Sequence, residues 1–177
     1  YEVSDALLAL GRMFRYNLAI DRHEVTLREE ISYLENYLKL SNIRYDYAIY
    51  LCENIEEPIY ELKVPKMCLQ PIVENAVAYG LDELAEDTTI YLKAYEKGET
   101  ALIELTDMGK GMSENVLRKV REQIYSQESY DRHEHGIGLR NVHERIQLMY
   151  GQTYGVQVYS RENCYTKVVL TIQAAGK

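Results

Sequence analysis

The chain has 177 residues, 46% of them apolar and 27% charged, a globular composition that excludes wholesale disorder and suffices for one compact domain with an appendage. Acidic side chains number 28 against 20 basic ones, a net charge of −8 that argues against nucleic-acid binding while leaving room for a local phosphate pocket. No apolar run approaches the ~18 residues needed to span a bilayer, and Cys52, Cys68 and Cys164, odd in number and without metal-ligand spacing, read as reduced thiols.

From the start, Val3, Leu7, Leu10, Phe14 and Leu18 recur in alternating steps of four and three, the seam of a helix that packs on a partner helix. A helix this short is marginal alone in water, so its partner is expected upstream or in another chain, and the chain is expected to be a piece of something longer. Thr26-Leu27-Arg28-Glu29 fits a capping box, and Leu27, Ile31, Leu34 and Leu38 continue a second helix to about Ile43. Strand-like segments follow around residues 47–51 and 59–62. A helix is expected over residues 67–79, with Pro71 in its first turn and Gly80 at its end. Alternating runs at 89–95 and 100–106 flank Lys97-Gly98 as a hairpin. After Gly111 the composition turns polar, and a mobile segment with a short helix is expected. Leu139, Val142, Ile146 and Met149 mark a last amphipathic helix that ends near Gly151, and strands at 155–160 and 165–172 close the chain. Hairpins outnumber βαβ crossovers, so the expected fold class is α+β, a two-layer α/β sandwich with a mixed sheet packed on helices. Tyr occurs 17 times against one Phe and no Trp, which carries no functional reading.

Three short segments could carry chemistry. In Gln70-Pro71-Ile72-Val73-Glu74-Asn75-Ala76, the apolar residues face a core and leave Glu74 and Asn75 at the helix edge. An amide oxygen there suits Mg²⁺, and a neighbouring carboxylate can orient or deprotonate a water or hydroxyl. The alternative is a plain solvated edge. Asp107-Met108-Gly109-Lys110-Gly111 ends a strand; its glycines let backbone approach a flat ligand, and the carboxylate can accept from an exocyclic amine such as adenine N6. An ordinary Asp/Gly turn would look the same. His135-Gly136-Ile137-Gly138-Leu139 precedes a helix, an arrangement that offers free N–H groups to anions or merely a flexible joint.

Taken in order, the three segments resemble the N box and the two glycine boxes of the ATP-binding half of sensor histidine kinases, which have the Bergerat (GHKL) fold, and more narrowly the LytS/YesM type. The resemblance covers nearly the whole chain. Arg15-Tyr16-Asn17-Leu18 is similar to the end of the family's helix, and Val25-Thr26-Leu27-Arg28-Glu29-Glu30-Ile31 through Asn36-Tyr37-Leu38 to its linker helix. It implies residues 1–22 as the end of a dimerisation and phosphoacceptor helix, 23–44 as a linker helix, and 45–177 as the catalytic domain. It also implies Asn75 as the Mg²⁺ ligand, Glu74 as a polar or basic group beside it, and Asp107 as the reader of adenine. Gly109 and Gly111 would shape the base pocket, and Gly136, Ile137, Gly138 and Leu139 would cradle the phosphates of ATP. Residues 112–135 would form a lid, with Arg118, Lys119, Arg121 and Arg132 as its basic residues. The implied activity is transfer of the γ-phosphate of Mg-ATP to a histidine upstream, and from there to a response regulator. The implied setting is a homodimer, the cytoplasmic domain of a bacterial protein anchored in the membrane through segments outside this chain.

Departures from the pattern are Tyr79 where a basic or histidine residue precedes the glycine, Met108 in place of Asn in the first glycine box, and Asn163-Cys164-Tyr165-Thr166 where the final hairpin has glycines. They predict low nucleotide affinity. No segment like the family's phosphoacceptor motif is present; His23-Glu24 lies between helices, His133 and His135 fall in a polar loop, and His143 is expected on an exposed helix face. Two further readings stand: another GHKL-type ATPase, or a degenerate nucleotide-binding or scaffold module without catalysis.

Overall fold

The stripe that opens the chain forms helix α1 (Glu2–Leu18) of a computed structural model that describes residues 2–19, 21–44, 47–81, 87–126 and 137–174. The helix has two apolar sides. Ala9, buried, and Met13 and Tyr16, half-buried, dock on helix α2 (Leu27–Arg44), whereas Val3, Leu7, Leu10, Phe14 and Leu18 all face solvent. The expected seam is therefore not used against any described residue.

Between the helices, strand β1 (Glu24–Thr26) pairs antiparallel with β3 (Lys63–Pro65). The capping box opens α2: the Glu29 N–H donates to Thr26 Oγ1 at 3.2 Å, and the Thr26 N–H to Glu29 Oε2 at 2.8 Å. Leu27, Ile31, Leu34 and Leu38 are buried as their spacing predicts. Asn42 on the last turn donates to and accepts from Ile49, which starts strand β2 (Ile49–Ile55).

The segment expected as a strand at 59–62 is instead a 3₁₀ turn, Glu57–Glu61, with Pro58 in its first positions. Proline fixes φ near −65° and removes a donor, which suits a helical start and not a ladder. Helix α3 (Gln70–Asn75) is shorter than expected; Met67 has φ +60° and Cys68 is fully buried, so both precede it. Pro71 does sit in the first turn. Past Asn75 the coil widens into a π-helix, Ala76–Leu81, so Gly80 lies within a helical turn and does not end it.

Strands β4 (Thr88–Lys97) and β5 (Thr100–Asp107) form the expected hairpin, with Gly98 at φ +66°. Helix α4 (Glu114–Tyr125) supplies the short helix expected after Gly111, and residues 127–135 of the expected mobile stretch lie outside the described residues. The helix buries Val120 and Ile124, while Arg121 and Tyr125 donate to the carbonyls of Val158 and Val156. Helix α5 (Ile137–Tyr150) and strands β6 (Gly155–Arg161) and β7 (Tyr165–Gln173) complete the chain.

The five-stranded sheet runs β2-β4-β5-β7-β6, with β2 and β4 parallel and the other pairs antiparallel. One face carries Ile90, Leu92, Ile103, Leu105, Val158, Leu170 and Ile172 against the helices; the other stays open, with Tyr50, Tyr91 and Tyr159 exposed on it. The expected two-layer sandwich is the observed architecture. Among the described residues no helix is long and apolar enough to cross a membrane.

Candidate nucleotide site

On β5 the buried positions alternate: Ala101, Ile103, Leu105 and then Asp107. The strand period of two thus turns the Asp107 side chain toward the helix layer, where only 5% of it remains exposed. Its Oδ1 accepts the Gly109 N–H at 3.1 Å, and no basic side chain among the described residues pairs with it. Burial lifts the carboxyl to about 6, against the opposing pull of the Gly109 and Asp107 N–H groups. An ionisable group in a core position, short of partners, is the arrangement expected where a ligand supplies the missing donor.

The turn after Asp107 is fixed from outside. Gly111 has φ +60°, and a Cβ there would lie 2.1 Å from the Arg161 carbonyl oxygen and 2.9 Å from that of Tyr165. The Met112 N–H donates to Ser160 Oγ, and the Asn163 N–H to the Lys110 carbonyl. The β6–β7 hairpin, with Asn163 at φ +56° where the family's glycines would stand, braces the first glycine box. Asn tolerates this conformation better than most residues. Met108 is 56% exposed beside it.

On α3, Ile72 and Val73 are buried and Glu74 and Asn75 are half-buried. Glu74 Oε1 accepts from Gln70 Nε2 at 2.6 Å, which leaves Gln70 Oε1 buried and without a partner among the described residues. Burial raises the pKa of the Tyr33 hydroxyl on α2, and the negative charge of Glu74 adds to the rise. Asn75, one position on, is turned about 100° from it. Tyr79, in the π-helix, is 53% exposed.

Gly136 lies outside the described residues. Ile137 and Gly138 open α5, and Leu139 is buried in the core, so at this position only backbone is left for a ligand. A Cβ on Gly138 would meet the Pro71 Cβ at 3.0 Å, so the glycine lets the first turn of α5 approach α3. The π-helix that follows α3 packs on β5 and β7. Of the three segments, α3 thus meets the start of α5 directly and meets β5, which ends in Asp107, through its π-helical continuation. Among the described residues no group of three or more His, Cys, Asp or Glu side chains could hold a metal unaided.

Other expectations fall elsewhere. Arg121 is committed to the Val158 carbonyl and Arg118 to Glu122, and Arg132, His133 and His135 lie outside the described residues. His143 is not on an exposed face: its Nδ1 accepts the Val156 N–H at 3.0 Å, its ring meets Tyr125 edge-on, and burial lowers its pKa. A groove of about 740 Å³ between α4, α5 and β6 is lined by Tyr125, Arg140, His143, Glu144 and Tyr154. Those α5 residues lie opposite Gly138, and the groove contains none of the expected nucleotide residues. The residue that sequence reasoning missed is Glu30, 1% exposed; within Arg28-Glu29-Glu30 it reads as a solvated face, and no local spacing signals its burial.

Comparison with known proteins bears on this site. Residues 65–176 match the family of histidine kinase-, DNA gyrase B-, and HSP90-like ATPases, and residues 1–49 match the histidine kinase family. The chain is 32% identical over 163 residues to the sensor protein kinase HptS of Staphylococcus aureus, in strains bovine RF122 / ET3-1 and USA300, a match over 92% of this chain. The chain spans 30% of the length of those relatives. In fold it is similar to the catalytic domain of histidine kinase ThkA, with a TM-score of 0.58 at 16% identity over 85% of this chain and 93% of that one. The histidine kinase domain of the blue-light activated kinase EL346 from Erythrobacter litoralis gives 0.56 at 15% identity, over 98% of this chain and 75% of that one. The chain belongs to the histidine kinase-, DNA gyrase B-, and HSP90-like ATPase family, with its first 49 residues matching the histidine kinase family.

Proposed function

We propose that this chain binds Mg-ATP at the region bordered by α3, the end of β5 and the start of α5, and presents the γ-phosphate to a histidine outside it. The observation that carries the reading is Asp107, a carboxylate buried in core register with no cation beside it among the described residues. Its free acceptor capacity suits the exocyclic amine of adenine, and Gly109 and Gly111 hold the turn that presents it. Ile137, Gly138 and Leu139 offer first-turn N–H groups of α5, which lack intrahelical acceptors, to phosphate oxygens.

The donors on α3 fit Mg²⁺, which prefers oxygen ligands and retains waters alongside substrate phosphates. Asn75 would ligate it, with the Gln70 Oε1 acceptor and the Glu74 carboxylate nearby to order water or act as base. Held there, Mg²⁺ would supply charge neutralisation to the phosphates. The chain's own contribution is positioning: α3 and α5, in contact at Pro71 and Gly138, set the relation between metal ligand and phosphate cradle. The phosphate would pass to an imidazole upstream and then to a response-regulator aspartate. In this reading residues 1–22 end a dimerisation helix whose solvent-facing seam meets a second copy, 23–44 form the linker and 45–177 the catalytic domain. The whole would be a bacterial protein anchored in the membrane by upstream segments, with this portion in the cytoplasm.

Titration with Mg-ATP under thermal denaturation tests the reading. Ligand at 100 times its dissociation constant should add about 2.7 kcal/mol, and Asp107→Ala should remove the shift. Affinity should also fall below pH 6, because protonated Asp107 is a poorer acceptor. An Asp107→Ala variant that binds as tightly as the parent overturns the adenine assignment. A parent that shows no shift at millimolar Mg-ATP favours a scaffold without catalysis, the reading to which exposed Tyr79 and Met108 lend weight.

A further inference from the structure

We infer that Tyr16 and Glu30 are positioning residues that couple the docking of α1 to the pose of the nucleotide-bearing helices α3 and α5. The inference rests on the nucleotide reading above. Its physical basis is the corner formed by residues 66–69, between β3 and α3, where four helices are joined by hydrogen bonds.

Glu30, in the first turn of α2, points into this corner. Its Oε1 accepts the Tyr16 hydroxyl of α1 and the Met67 N–H at 2.6 Å, and its Oε2 accepts the Leu69 N–H at 3.0 Å. The last two donors belong to the backbone that leads into α3, and Met67 holds φ +60° there, a conformation that a side chain other than glycine's adopts only when its surroundings impose it. Lys66 reaches the opposite way: its Nζ donates to the Asn17 carbonyl in the last turn of α1 at 3.4 Å and to the Ala19 carbonyl just past it at 2.8 Å, and lies over the Tyr16 ring. From α5, Arg145 donates to the Lys66 and Met67 carbonyls at 2.6 and 3.1 Å.

A carboxylate taken out of water is stabilised by the donors that fill its acceptor sites, and losing one of them is costly. Tilting or sliding α1 withdraws the Tyr16 hydroxyl, and the bonds from Met67 and Leu69 are what remains to compensate. The first turn of α3 and the contact of Pro71 with Gly138 follow from that backbone. Coupling of this kind is reciprocal: a ligand that favours one pose of α3 and α5 must favour the docked α1 by the same factor.

Amide hydrogen exchange of the 177-residue chain, with and without saturating Mg-ATP, tests this. Nucleotide should slow exchange of the α1 amides about tenfold in the parent. Tyr16→Phe, which removes one oxygen, should cut the slowing below about threefold and weaken Mg-ATP binding by a matching factor. Glu30→Gln should act in the same direction. Met13→Ala trims the apolar docking of α1 while leaving every hydrogen bond of the corner in place, so it should raise exchange yet keep the slowing factor. Loss of the factor in that variant too would mean that any loosening of α1 suffices, and would overturn the assignment to Tyr16 and Glu30. An intact factor in Tyr16→Phe, or a parent that binds Mg-ATP with no response in α1, also overturns the inference while the nucleotide reading stands. A parent that binds no Mg-ATP overturns both.

Discussion

Two carboxylates are buried among the described residues, at opposite ends of the molecule's logic. Glu30, in the corner beneath α1, accepts from three donors carried by other elements, and Asp107, at the end of β5, accepts from a backbone N–H two residues away. Both are at least 95% buried. The first ties elements together and has little capacity left for anything that arrives. The second is held by its own turn and retains an acceptor. Burial alone therefore does not mark a binding residue; the source of its partners does.

Substitutions can break or sharpen this contrast, and the largest effect belongs to the corner. Glu30→Ala would strand two backbone N–H groups and a tyrosine hydroxyl, and should cost about 4 kcal/mol of stability in urea denaturation. Asp107→Asn should move the other way. Because burial raises the Asp107 carboxyl from 3.8 to about 6, its favourable contribution is full below the unfolded value and is lost as pH climbs through the folded one. The Asn variant should match the parent near pH 4 and exceed it by about 2 kcal/mol above pH 6, while failing to bind nucleotide. Equal stability of the two across that range would mean that Asp107 is not strained by burial. Least affected is the partly exposed neighbour Glu29 in its capping box: Thr26→Ala should cost about 1 kcal/mol, with no change in nucleotide binding.

What could be read from sequence was local. The stripe Leu27, Ile31, Leu34 and Leu38, the capping box, the hairpin around Gly98 and the placement of Asp107 at a strand end all follow from short-range periodicity, and the structure places them so. The strand expected at 59–62 failed because a short apolar run carries no period of its own, and Pro58 decided it. The role of Glu30 was illegible for a different reason: its backbone donors lie 37 and 39 residues further along the chain. His143 was misplaced because its acceptor role depends on Val156, brought up by a hairpin rather than by helix spacing. Of the candidate site, the residue types and their order could be read; what the glycines do could not. Gly111 yields to the Arg161 carbonyl and Gly138 to Pro71, contacts set by packing between distant segments.

Cys68, fully buried directly between the two N–H groups that Glu30 receives, gives the corner a built-in clock. Its thiol is kept protonated by burial, whereas Cys52 stands exposed on the open sheet face of the same molecule. An alkylating reagent therefore carries its own reference: the lag of one sulfur behind the other counts how often residues 66–69 part from α2, without a label or a substitution.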